Sequence, residues 1–152
     1  MQEGERPGGL TALAVINFVF AGLNVLSLLG TAVFFAFIDK IPTDEMDAAQ
    51  RATIEALQNM GTGALVLIFA MNLLTVLLLL LSGIGYLKQK RALGRMVGNA
   101  YAVISIASSV VSAVMFAREL GGGFNIMTIV GLIYPILTLV LLNTTFKEDL
   151  TN

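Results

Sequence analysis

The chain has 152 residues, 57% of them hydrophobic and only 12% charged, with a net charge of -1 and a mean hydropathy of +0.86. Soluble domains carry about 25% charged residues, so the composition points to a membrane protein. Nine basic residues are too few for a phosphate-tracking surface, which argues against a nucleic-acid partner, and without Cys or His the chain lacks disulfides, cysteine-ligated metals and the commonest general base.

Met1 to Gly9 reads as a short polar lead-in. From Leu10 to Ile38 no charged residue occurs. About 20 helical residues cross a hydrocarbon core, so this run spans with length to spare. Its length and acidic lead-in favour a retained helix over a cleaved signal peptide. Asp39 to Met60 is the longest polar segment. Thr43 is the expected helix cap, with Asp44 and Glu45 in the first turn, where the helix dipole favours acids. Asp47 and Arg51 stand i,i+4, and an amphipathic helix over 43–60 is expected on or above the bilayer.

Three more spans follow, over 64–87, 96–117 and 126–146. The second and third are joined by the basic turn Lys88-Gln89-Lys90-Arg91 and Arg95, the third and fourth by Arg118 to Gly123, with Asn125 as a helix cap. Pro135 lies inside the fourth span, and Gly131, four residues back, eases the kink that its ring imposes. Lys and Arg divide six to three between the two sides. The majority, Arg6, Lys88, Lys90, Arg91, Arg95 and Lys147, lie on the side of both termini. The positive-inside rule then places the termini and the basic turn in the cytoplasm and the acidic segment outside. Lys88, Lys90, Arg91 and Arg95 set this topology and lie where anionic inner-leaflet headgroups would meet them.

Each span carries small or polar residues at helix-face spacing. Asn17 and Asn24 lie in the first, Asn72 and Thr75 in the second, Gly94, Gly98, Ser105, Ser109 and Ser112 along the third, and Gly131, Pro135 and Thr138 in the fourth. Helices in lipid associate through close packing and interhelical hydrogen bonds, so these residues are expected to face protein. An unpaired amide in hydrocarbon is costly, which puts Asn17, Asn24 and Asn72 inside. The same residues are the candidates for a polar path. None of the acids or bases falls within an apolar core, unlike the usual ion-coupled transporter. Small multidrug transporters match in size, but Asn17 and Asn24 stand at the depth of their coupling acid. No serine has a nearby base and no phosphate-binding glycine pattern occurs, so no catalytic residues, cofactor or metal site is expected. With no Trp, an interfacial aromatic belt would rest on Tyr and Phe.

The run Gly83-Ile-Gly-Tyr-Leu-Lys-Gln-Lys-Arg-Ala-Leu-Gly-Arg95, with Arg6-Pro-Gly-Gly-Leu-Thr-Ala12 at the entry, resembles small bacterial four-span membrane proteins of unknown function. The resemblance implies a bacterial inner-membrane location and carries over no catalytic residues. The expected architecture is an all-α, antiparallel four-helix integral membrane bundle, a single domain with a short amphipathic helix between its first two spans. The expected role is a non-enzymatic structural or accessory protein, with the lipid bilayer and other membrane chains, self or foreign, as partners. A small channel or uncoupled transporter for neutral or hydrophobic solutes is the alternative, and a lipid-interacting protein the third reading.

Overall fold

The computed structural model describes residues 7–120 and 126–150, and among these the secondary structure is all helical. Five α-helices follow one another: α1 (Gly8–Phe37), α2 (Ala48–Gln58), α3 (Thr62–Leu87), α4 (Val97–Leu120) and α5 (Ile126–Asn143). A 3-10 turn, Ile38–Lys40, extends α1, and a π-helical turn, Arg91–Met96, precedes α4. Two helical segments, Gly8–Lys40 and Thr62–Leu87, are long and apolar enough to cross a membrane. The glycine turn 121–123 and Asn125 lie outside the described residues, as do Arg6 and the side chain of Ser112.

The polar segment starts its helix later than Thr43. Residues 43–46 make a turn closed by the Met46 N–H on the Thr43 carbonyl. Asp47 is the cap instead, its Oδ1 accepting from the Gln50 N–H at 2.8 Å. This satisfies one of the free donors of the first helical turn. The expected Asp47–Arg51 pair gives way for the same reason. With Asp47 engaged as a cap, the Arg51 guanidinium donates to the carbonyls of Thr43 (3.1 Å) and Asp44 (3.2 Å). At the other end Gln58 Nε2 donates to the Ile38 carbonyl at 2.9 Å, tying α2 to the end of α1. Gly61, in extended backbone, caps α3 and separates it from α2.

The basic turn is tight. The Lys90 N–H bonds the Gly85 carbonyl and the Gln89 N–H bonds that of Tyr86, the paired closure of a Schellman motif. Its left-handed position, φ 49°, is filled by Gln89 rather than glycine. The chain then doubles back so closely that the backbones of Gly85 and Gly94 touch; a Cβ on Gly85 would collide with the Leu93–Gly94 peptide.

α1 packs along α3, α3 along α4, and α4 along α5. The burial is concentrated at one end. In α1 it falls on Leu10, Leu13, Ala14, Asn17 and Ala21, all in the first half; in α3 it falls on Val76 through Tyr86, all in the second. These segments meet because the helices run antiparallel, with Asn17 beside Ser82. Leu142, Phe146 and Leu150 complete this core. α5 stops at Asn143 rather than running to Phe146. There the Phe146 N–H reaches back to the Leu141 carbonyl at 2.9 Å, which turns the tail so that Phe146 packs over Gly9 and Leu150 over Gly94. Toward the other ends of α1 and α3 the described residues are more open. Leu26, Leu29 and Val33 are more than half exposed, and an open groove of about 390 Å³ runs between α1 and α3, lined by Leu28, Leu65, Val66, Phe69, Ala70 and Leu73.

Candidate functional site

Asn17 is the centre of the packed end. It is fully buried, and an amide there must use its bonding groups or forfeit them. Its Nδ2 donates to Ser82 Oγ at 2.7 Å and, more weakly, to the Leu79 carbonyl at 3.4 Å. Its Oδ1 accepts from the Tyr134 hydroxyl. Ser82 in turn donates to the Leu79 carbonyl at 3.1 Å. One side chain of α1 thus bonds to α3 and α5 at once. Tyr134 is held by rings as well as by its hydroxyl: Phe20 of α1 lies 4.7 Å and Tyr101 of α4 lies 6.1 Å from its ring, centroid to centroid. Tilted aromatic pairs at these separations are favourable beyond the area they bury. All four long helices meet around this residue.

One turn nearer the basic turn lie two more hydroxyl side chains, Tyr86 on α3 and Thr138 on α5. Both residues are 0% exposed, and neither hydroxyl has a hydrogen-bond partner among the described residues. The Tyr86 hydroxyl rests over Gly98 of α4, where Leu142 also packs, so that a Cβ on Gly98 would strike both. A second polar junction closes the same end. Asn99 and Asn143 exchange amide hydrogen bonds at 2.8 and 3.2 Å. Arg95 Nη2 adds a bond to Asn143 Oδ1 at 3.4 Å, and Asn143 also donates to the Leu139 carbonyl.

The structure brings Asn17, Gly98, Pro135 and Thr138 together in this interior, with Gly94 against α3 just below. It does not bring Asn24, Asn72, Thr75, Ser109 or Gly131 there. Asn24 and Asn72 are half-buried and, among the described residues, bond only the carbonyls four residues back, Phe20 and Ile68, each at 2.8 Å. Thr75 does the same to Met71, and Ser109 to the Ser105 carbonyl. Gly131 opens onto free space. Lys88, Lys90 and Arg91 are exposed around the turn, while Arg95 is half-buried.

The sequence reading passed over Tyr86, Tyr134, Asn99 and Asn143 as site residues. The burial of the tyrosines had a signal, though their partners did not. A chain with three tyrosines that puts all of them within apolar stretches must either take their hydroxyls to an interface or pair them inside. Here the rings are in the core, not in a belt. Compared with protein-family models, curated proteins and solved structures, the chain matches none.

Proposed function

We propose that the chain is an antiparallel four-span membrane bundle with both termini in the cytoplasm, and that it acts without catalysis, through lateral helix contacts in a homo-oligomer or a larger membrane complex. α4 and α5, at 24 and 18 residues, rise about 36 and 27 Å, enough to pair with the two longer spans. The carrying observation is the outward face of α1. Val15, Val19, Leu26, Leu29 and Val33 lie along it, each more than half exposed, and a Cβ on Gly22 within the same row would meet nothing. Gly131 of α5 is equally open. Small residues on an unpacked apolar face are what a neighbouring helix in lipid needs for close approach.

The channel reading has less support. Asn24, Asn72, Thr75 and Ser109 are bonded to their own helices, so the polar residues do not join into a route beyond Asn17. Extraction from the native membrane in mild detergent, followed by native mass spectrometry, tests assembly. The wild type is expected to emerge bound to copies of itself or to other chains. Gly22→Leu and Gly131→Leu are expected to fold and to lose those partners. A wild-type chain that emerges alone and monomeric overturns the proposal.

A further inference from the structure

The seam between α4 and α5 changes character as it leaves the basic turn. At the rim Lys88, Lys90 and Arg91 are exposed, immediately beyond the apolar segment Thr62–Leu87. The tail brings Lys147, placed between Asn143, which bonds Arg95, and Leu150, which packs on Gly94. With Arg95 these are five cations against two acids of the same tail, Glu148 and Asp149, among the described residues. Arg95 differs from the rim cations. Gly94 beside it meets Gly85, inside the apolar segment of α3, so Arg95 stands below the rim and is half-buried.

The hydrogen bonds at this level leave one kind of capacity unused. Asn143 Oδ1 accepts from both Asn99 and Arg95, and its Nδ2 donates to Asn99 Oδ1 and to the Leu139 carbonyl. The two amides largely satisfy each other. A guanidinium carries several N–H donors and no acceptor, and Arg95 uses them, among the described residues, for a single bond of 3.4 Å. The junction therefore presents donors and positive charge, which call for an acceptor bearing negative charge. Farther along, the seam is apolar. Val103, one turn on from Asn99, and Ile136, two turns before Asn143, are 57% and 49% exposed. A cationic donor above an exposed apolar strip fits a ligand built the same way, a headgroup phosphate on acyl chains. Inorganic phosphate matches only the upper part.

We propose that Arg95 seats the phosphate of an anionic phospholipid in the seam between α4 and α5, with an acyl chain along Val103 and Ile136. The planar guanidinium can hold two phosphate oxygens at once, which a lysine cannot. Lys88, Lys90, Arg91 and Lys147 favour a headgroup of net negative charge. The inference rests on the membrane arrangement proposed above and adds a bound lipid to it.

The full chain in detergent is titrated with phosphatidylglycerol or phosphatidylcholine, and bound lipid is counted by native mass spectrometry. The wild type is expected to hold one phosphatidylglycerol about tenfold more tightly than phosphatidylcholine. Arg95→Gln is expected to lose that preference, and so is Arg95→Lys, which keeps the charge but not the fork. Lys88→Gln combined with Lys90→Gln is expected to lower it by less than about threefold. No preference in the wild type overturns the inference, whatever the variants do. A preference that survives Arg95→Gln and vanishes with the two lysines also overturns it, because that is the diffuse pull of a basic turn on an anionic surface. Inorganic phosphate is expected not to displace the lipid; displacement would mark an ion site instead. A wild type that binds phosphatidylglycerol as a lone monomer upholds this inference while removing the assembly reading, and one that assembles without lipid preference does the reverse.

Discussion

Asn17, Asn24 and Asn72 carry the same side chain in similarly apolar surroundings, yet only Asn17 reaches across helices. The difference has a measurable consequence. Asn17→Leu strands the Tyr134 hydroxyl and one bond of Ser82 in the core, at an expected cost of about 1–3 kcal/mol. Asn24→Leu removes a bond to its own helix at a half-buried position, with an expected change within about 0.5 kcal/mol. Unfolding in detergent monitored by circular dichroism compares the two, and equal losses would contradict the network described for Asn17. The sequence marks all three amides as costly in hydrocarbon, which is correct chemistry. It does not say which of them bonds locally, because any asparagine in a helix has the carbonyl four residues back within reach. Tyr134 and Asn143 were hidden for a related reason: their partners stand 117 and 44 residues away, and no spacing rule links such positions.

At the scale of elements, hydropathy located the long helices to within a few residues, since their apolar runs are unbroken. The ends were harder to read. Thr43 and Asp47 are both capping residue types, and Asp47, four residues along, takes the cap while Arg51 holds the carbonyls of the preceding turn. The π-helical turn at Arg91–Met96 carries no compositional mark. The Schellman closure before it makes a prediction of its own. Gln89 holds a positive φ that costs a residue with a Cβ about 1 kcal/mol relative to glycine. Gln89→Gly is therefore expected to stabilise the protein by about 0.5–1 kcal/mol, the gain being partly offset by the greater freedom of the unfolded chain. Thermal unfolding of the variant measures it; a destabilised Gln89→Gly would mean that the Gln89 side chain makes a contact worth more than the strain.

The molecule as a whole is unevenly held. Among the described residues, most buried side chains of α1 and α3 and the hydrogen bonds among the four long helices gather near the basic turn, while the opposite ends of α1 and α3 carry exposed apolar residues and the open groove. Regions with few buried contacts open at lower free energy than the core. Because the chain has no cysteine, spin labels can be placed in pairs without background. The pair Ala12→Cys with Lys147→Cys, at the packed end, is expected to give a narrow distance distribution. The pair Val33→Cys with Ile129→Cys, at the far end, is expected to give a broader one. Equal widths would show that the two ends are equally constrained. This asymmetry was not legible beforehand, because a leucine facing lipid and a leucine facing protein look alike in a hydropathy profile.

In the proposed four-span arrangement the unequal lengths of the helices would shape the bilayer around them. The apolar segment Gly8–Lys40 has 33 residues and α5 has 18; at 1.5 Å per residue a hydrocarbon core of about 30 Å is overshot by the first and barely reached by the second. The four-span bundle proposed above would therefore have a tall side and a short side. Lipid next to α1 would be stretched, or the helix would tilt to avoid stretching it, and lipid next to α5 would be drawn thin. Each ångström of such mismatch costs a fraction of a kcal/mol, and the cost falls when surfaces of equal height meet and displace the deformed lipid between them. Bilayer elasticity alone thus favours tall sides meeting tall sides, and it would orient neighbouring copies before any of their side chains touch.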